Sequence, residues 1–407
     1  MSEAQVAVLL PEVKTSYSEL SSHRGCPQRW YYSKMLGLSK KPDPSDPKVE
    51  LHMGSWWHAM MAADSWQRAV KYGSLLKAPA RIRGGHDVLL DTEQPLTPES
   101  VLLAAERTWL TLDPSEQEAW ISKLSDTLPN RLSALYSAWL DRWESDRGHE
   151  RPLAMEMGWS RPLTDGVKLV GYIDEVYLDT RRNLVVVRDH KTAKALGTQS
   201  ALDDMMDSQL QLYAWGASPK ITSWGHGSVQ AMAYDRIKTV KPTTPRLNQS
   251  GSLSKQVTQF DLHTYREWVA KGQHYAGRAK DGSGAGVYKE EPAVVEHLTS
   301  PSWLSIWHQR TLVPLNVNMI RAHLRSALDT AADIARTRER ALVEGAAARN
   351  LGGGCKYCDY APLCRAQIAG GPDGEYPLDQ YGLVHPSMSV LTGPRENEEK
   401  EKEMQDA

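Results

Sequence analysis

The chain has 407 residues, 41% of them hydrophobic, with 48 Lys and Arg against 50 Asp and Glu for a net charge of -2 and a pI of about 6.7. That balance excludes a molecule steered to polyanions by its overall field, so any nucleic-acid surface has to be local; the apolar content suffices for a sizeable core in one elaborated domain or two. No run reaches the 18 or so uncharged apolar residues of a membrane span, and the first residues, MSEAQVAVLL, lack the charged start, apolar core and cleavage site of a secretory signal. A cytoplasmic protein with no membrane partner is expected.

In chain order, TSYSELSSH predicts a helix with Ser16 as N-cap and Glu19 completing a capping box. A second helix is expected over 53–70, carrying His58, and further amphipathic helices between 98 and 145 read as a helical insertion. From 153 the texture changes: LAMEMGWS, VKLVGYIDEVYLD and LVVVRDHKT, separated by polar turns, read as three strands of an antiparallel meander. A helix over 203–216 follows, with Gln209 and Tyr213 one turn apart on one face. Residues 217–300 have mixed character, 319–347 reads as a long helix, and the charged end from 395 reads as a solvated tail. The resulting division is 14–40, an N-terminal helical segment; 54–150, a helical region; 151–318, an α/β core with its extension; 319–370, a C-terminal helix and cysteine segment; and 395–407, the tail.

The third strand ends in polar groups. Strand alternation sends Asp189 and Lys191 to one face and His190 to the other, and the short turn at 180–183 brings Asp174 of the preceding strand alongside, with Glu156 of the first strand in reach. Clustered carboxylates suit a hard divalent cation, Mg2+ or Mn2+, which activates water and offsets charge on a phosphodiester; Lys191 then orients the water or stabilises the developing charge. The plain alternative is a surface Asp189–Lys191 ion pair worth about 0–1 kcal/mol.

Four cysteines occur: Cys26 near the start and Cys355, Cys358 and Cys364 at C-x2-C-x5-C spacing. In a reducing compartment four thiols, three of them within ten residues, suggest a metal centre, and both zinc and an iron-sulfur cluster accept four cysteinates. If all four bind one centre, it staples the two ends of the chain together. The stretch 236–259 holds Arg236, Lys238, Lys241, Arg246 and Lys255 and no acid, which reads either as a path for a DNA backbone or as a polar loop. SLSK at 252–255 lacks the companion motifs of penicillin-binding enzymes, and GSGAG at 282–286 lacks the flanking strand and helix of a phosphate loop.

The ordered set of motifs resembles the PD-(D/E)XK nuclease superfamily, in particular its RecB-type branch with the Cas-four CRISPR-associated exonucleases and the AddB nuclease domain. Cys26 is followed by G-x-x-x-H as GSWWH with His58, then Glu156, G-x-x-D as GYID with Asp174, D-x-K as DHK with Asp189 and Lys191, Q-x-x-x-Y with Gln209 and Tyr213, and the cysteine triplet. The resemblance covers 14–40, 54–58, 153–216 and 350–366. It implies an α/β restriction-endonuclease-like core, a mixed central sheet flanked by helices, with an iron-sulfur subdomain joining the two ends.

It further implies that His58, Asp174, Asp189 and the His190 carbonyl bind the divalent metal, that Glu156 assists, that Lys191 is the catalytic lysine, and that Gln209 and Tyr213 support the site or the strand. Cys26, Cys355, Cys358 and Cys364 are then ligands of a [4Fe-4S] cluster. The activity implied is a DNA exonuclease acting on single-stranded or resected ends in recombination, repair or spacer acquisition, beside a strand-annealing or recombinase protein or CRISPR adaptation proteins, in a bacterial or phage-infected cell. The rival readings are an iron-sulfur DNA-binding scaffold without cleavage and a zinc-stapled module whose DHK is only a salt bridge.

Overall fold

The computed structural model describes residues 13–41, 47–74, 76–92, 95–197, 201–246, 253, 259–272, 290–369 and 380–383. Among them, six strands form one mixed sheet: β1 (Val13–Ser16), β2 (Glu150–Thr164), β3 (Val167–Asp179), β4 (Leu184–Ala193), β5 (Ala231–Lys238) and β6 (His308–Pro314). The expected meander is β2–β3–β4, both pairs antiparallel; β5 joins β4 in parallel and β6 closes the edge antiparallel to β5.

β3 organises this sheet. One of its edges is taken along nearly its whole length by β2. The other is shared by two strands in succession: β1 pairs in parallel with Val167–Val170, and β4 pairs with Glu175–Asp179. Residues 171–174 lie between, with no ladder partner on that edge among the described residues. Beyond Arg188, β4 leaves β3 and continues beside β5 alone, so the sheet forks between Asp174 and Asp189.

Helices α1 (Tyr17–Gly25), α2 (Val49–Tyr72), α3 (Leu128–Arg147), α4 (Ser208–Ser223) and α5 (Val317–Glu344) surround the sheet. The α1 cap is half of the expected box: Ser16 Oγ accepts from the Glu19 N–H at 3.2 Å, whereas the Glu19 carboxylate is taken by Thr15 Oγ1 at 3.2 Å and Trp30 Nε1 at 3.1 Å. The helix expected over 203–216 is two, because Asp207 ends Ala201–Met206 and caps α4 by accepting from the Gln209 N–H at 2.7 Å. One core joins α1, α4 and α5 to the sheet through Leu20, Trp159, Val187, Leu210, Leu212 and Ala327. A second holds α2, α3 and the helices Pro98–Thr111 and Pro114–Leu124 around Trp56, Trp57, Trp120 and Trp139. Besides its helices this region holds a ribbon, Arg81–Arg83 against Leu89–Asp91.

Where α2 and α3 meet the sheet, an ion network replaces apolar packing. Arg188, fully buried, donates to Glu175 at 2.7 Å and Glu150 at 3.1 Å; Arg68 donates to Asp64 at 2.8 Å and to Glu175; Arg310 bridges Glu150 at 3.1 Å and Asp235 at 2.6 Å. Such groups are tolerated in a core only as a satisfied set, because removing one member strands a buried charge. Arg188→Met is expected to lower the free energy of unfolding by about 3–5 kcal/mol, read as a lower urea midpoint.

Candidate active site

The fork collects the acidic residues. Met155 pairs with Glu175 and Met157 with Ile173, which leaves Glu156 facing Asp174 without a ladder pair. Glu156 sits at φ 45°, in the left-handed region that costs a side-chain-bearing residue roughly 1–2 kcal/mol and is found where surrounding structure enforces it. Opposite the interruption, α2 delivers His58, with Nδ1 3.4 Å from Asp174 Oδ2. One ligand atom each from His58, Glu156 and Asp174 falls within 4.8 Å of the others.

Asp174 also joins the two arms of the fork, its Oδ2 accepting the His190 backbone N–H at 2.7 Å. On the same arm Lys191 Nζ stands 2.7 Å from Asp189 Oδ2; the aspartate is buried and the lysine 43% exposed. The expected sharing of one face by Asp189 and Lys191 is what the strand delivers. The His190 ring, on the opposite face, lies buried with Nδ1 3.7 Å from Asp235 Oδ2, and Asp235 is itself held by Arg310 and by Trp139 Nε1 at 3.0 Å.

These carboxylates are not equivalent. Burial, reinforced by the Asp174 charge, pushes Glu156 up to about 8. The same two causes push Asp189 up to about 6 against the pull of Lys191. Asp174 is also buried, but the His58 charge and the hydrogen bonds from His58 and His190 outweigh that and hold it down at about 2. His58 in turn rises to about 9 because Asp174, Glu156 and Asp189 overcome its desolvation. Burial keeps the His190 ring neutral, with its pKa lowered to about 4. Near neutral pH burial thus keeps the Glu156 carboxyl protonated, while the Asp174 and Asp189 charges are faced by His58 and Lys191.

Gln209 and Tyr213 flank the cluster from α4. They hydrogen-bond to each other, and burial, with the charges of Asp189 and Asp174 adding, raises the Tyr213 hydroxyl to about 12. Tyr213 packs edge-on against Trp159 at 5.5 Å. A Cβ at Gly171 would stand 2.9 Å from that indole and one at Gly216 2.1 Å, so the glycine of GYID is there to let the tryptophan in. Two neighbours escaped the sequence reading. Asp207 raises the Lys191 pKa after Asp189 and Asp174, and Tyr17 accepts from Ser208 Oγ at 3.2 Å beside Tyr213. The helix-capping D-S-Q at 207–209 was the available signal for Asp207; for Tyr17 there was none.

In the basic stretch from 236, the reading of Arg236 and Lys238 as contacts to a DNA backbone is corrected. Its start belongs to β5, because Ala231–Lys238 pairs with β4 and β6. Arg236 is 12% exposed and forks onto Asp204, with Nη1 2.9 Å away. Lys238 is buried, bonded to Gln259 and 4.5 Å over the Trp307 ring. Lys241 pairs with Asp126 at 2.9 Å, Arg246 is exposed, and Lys255 lies outside the described residues, as do SLSK and GSGAG.

The cysteines lie where residues 25–32 meet residues 347–367. Cys26 follows α1, and Cys355, Cys358 and Cys364 occupy the turn Gly353–Tyr357 and the helix Ala361–Ala369. The two segments are bound by Gln28 Oε1 accepting from the Ala347 N–H at 2.6 Å, the Gln28 N–H on Ala348 O at 2.9 Å, Asn350 Nδ2 on Gly25 O at 3.0 Å and Tyr32 OH on Gln367 Oε1 at 2.7 Å. No three of the thiol sulfurs lie within 4.8 Å of one another.

A second group, His52, His86 and Glu116, also brings its ligand atoms within 4.8 Å. Nδ1 of His52 accepts the His86 backbone N–H at 2.9 Å, and Nδ1 of His86 accepts from Trp56 Nε1 at 3.3 Å. Metal-bound imidazoles donate from their second nitrogen, whereas these accept. Each Nε2 therefore carries the proton, that of His86 facing Glu116 at 3.1 Å, and the group is a hydrogen-bonded clamp between α2 and the insertion.

No curated protein matches the chain. Among solved structures, one titled "Crystal structure of SSO0001" is matched at 13% identity over 58% of this chain and 71% of that one, with a TM-score of 0.24. The family model of the PD-(D/E)XK nuclease superfamily matches residues 14–365, from β1 through the last cysteine, and the chain therefore belongs to that superfamily.

Proposed function

We propose that this protein is a metal-dependent DNA exonuclease, hydrolysing phosphodiester bonds at single-stranded or resected ends to leave a 5′-phosphate, with a [4Fe-4S] cluster as a structural staple. The observation that carries the reading is the sheet fork, which sets His58, Glu156 and Asp174 together within 4.8 Å and hangs Asp189 and Lys191 on the opposing arm.

The donor set fits a hard divalent cation. It offers carboxylate oxygens and one imidazole, and a cation bound there would offset the burial that raises Glu156 and Asp189. His58, Asp174, Asp189 and the His190 carbonyl would hold Mg2+ or Mn2+, with Glu156 adjoining. Bound there, the ion supplies polarisation of the scissile phosphate and a lowered pKa for water. The remaining work falls to the chain. Lys191 stays charged, its pKa raised by Asp189 and Asp174 against desolvation, and its half-exposed ammonium orients the attacking water and stabilises charge developing on the phosphoryl oxygens. Asp189 positions that ammonium, and the Asp174–His190 hydrogen bond holds the two arms at a constant separation.

Four thiols from opposite ends of the chain, brought to one region, support the cluster. Burial raises the Cys358 thiol, and the nearby Cys26 adds to the rise. Both a tetrahedral zinc and a cubane accept four cysteinates, and a C-x2-C-x5-C triplet with one distant cysteine favours the cubane. Recombination, repair or spacer acquisition, beside a strand-annealing, recombinase or CRISPR adaptation protein, is the setting this activity fits.

Incubation with DNA labelled separately at the 5′ and 3′ ends, with Mn2+ or Mg2+, tests the activity. Wild type is expected to release label processively from one end, and Lys191→Ala to lose about 10²–10³ in kcat while still binding DNA; binding without cleavage in both proteins would favour the scaffold reading. Prepared without oxygen, the protein is expected to be brown and to carry iron and labile sulfide, both lost in Cys26→Ser together with several degrees of Tm; a colourless protein with stoichiometric zinc would refute the cluster.

A further inference from the structure

We propose that the cavity between α3 and the end of β5 is a binding site for one small monovalent inorganic anion of chloride size. The site lies apart from the acidic cluster and stands independently of the nuclease reading.

The cavity, of about 20 Å³, is lined by Arg131 of α3, Lys238 at the end of β5, Trp307 and His308 where β6 begins, and Asp261 at the head of the helix Leu262–Ala270. Arg131 is 3% exposed and Lys238 7%, a depth at which charged side chains are ordinarily paired. Neither joins an ion pair among the described residues. Arg131 donates from Nε to Thr239 O at 2.7 Å and from Nη2 to Val240 O at 2.8 Å, and Lys238 Nζ reaches Gln259 Oε1 and the face of Trp307. The two cations also repel each other. Burial lowers Arg131 to about 10 against the attraction of Asp261 and Asp126, and burial together with the Arg131 charge lowers Lys238.

Two neutral groups in the same wall are unmet as well. Trp307 is 3% exposed and His308 6%, and neither the indole Nε1 nor the imidazole Nδ1 has a hydrogen-bond partner. Burial holds that imidazole neutral, with its pKa lowered to about 4. The carboxylate in the wall, Asp261, is turned to its own helix, where it accepts the Thr264 N–H at 2.8 Å.

Volume and charge together decide the occupant. A cavity of this size holds one water-sized particle, too small a space for a phosphate or a nucleotide. A water would accept from the Trp307 indole and leave the two cations facing each other. With two positive charges against one aspartate, the site is one negative charge short, and a single monovalent anion supplies it while accepting from Arg131, Lys238 and the indole N–H.

Thermal unfolding of the full chain at constant ionic strength, in mixtures of sodium chloride and sodium gluconate, whose anion is too bulky for the cavity, tests the site. Wild type is expected to gain about 1–2 °C in Tm for each tenfold rise in chloride above its Kd. Lys238→Met removes one cation and keeps a stem to pack on Trp307; it is expected to lose the chloride response and to melt no lower than wild type in gluconate. Trp307→Phe, which keeps both cations and deletes the indole donor, is expected to weaken chloride binding about tenfold. Crystals grown in sodium bromide are expected to show an anomalous peak between Arg131 and Lys238. The same Tm for wild type in the two salts, a chloride response that survives in Lys238→Met, or bromide bound only elsewhere would each overturn the site.

Discussion

The hydrogen bond from the His190 backbone to Asp174 is the constraint on which the rest of the site depends. Past Arg188 the β4 backbone has lost β3 as a ladder partner, and a buried N–H without an acceptor is costly. Asp174 supplies that acceptor with a side-chain oxygen at 2.7 Å. The same carboxylate faces His58 and lies opposite Glu156, so one residue both seals the opened sheet and anchors the acidic cluster. This dual use explains why the sheet can split at its functional point without unravelling.

The fork is braced from below. Glu175 and Arg188 are the last β3–β4 pair before the separation, and they are the residues that enter the buried ion network with Arg68, Glu150 and Arg310. Asp235 carries that network across to β5 and to the face of His190 away from the cluster. Strong directional contacts here hold the orientation of the diverging strands, which apolar packing would leave freer. Helix α2 ties the levels together: its first half presents His58, and its second half contributes Asp64 and Arg68 to the network.

Much of this was legible in the residues. The texture change at 153, the apolar run Val185–Val187 and the polar ending DHK predicted the meander and the shared face of Asp189 and Lys191, because period-two alternation is local and survives any tertiary context. The ordered motifs pointed to the superfamily. The strands at 13–16, 231–238 and 308–314 were not anticipated, since the first is short, the second is buried along its length and the third shows no clean alternation, and all three depend on pairing partners far away in sequence. The basic stretch misled for a related reason: composition counts Arg236 and Lys238 as surface charge, but only the sheet shows that Asp204 and Trp307 receive them.

What the sequence by itself determined is therefore the inventory: a meander with carboxylates and a lysine at its polar end, a helix carrying His58, and cysteines at the two ends of the chain. What tertiary structure decided is their geometry. The sharing of one β3 edge by β1 and β4, and the stretch 171–174 left without a ladder partner between them, arise from strands that end at different places along a common partner. Such termination depends on long-range pairing and on helices packing across the sheet, and no window of neighbouring residues encodes it.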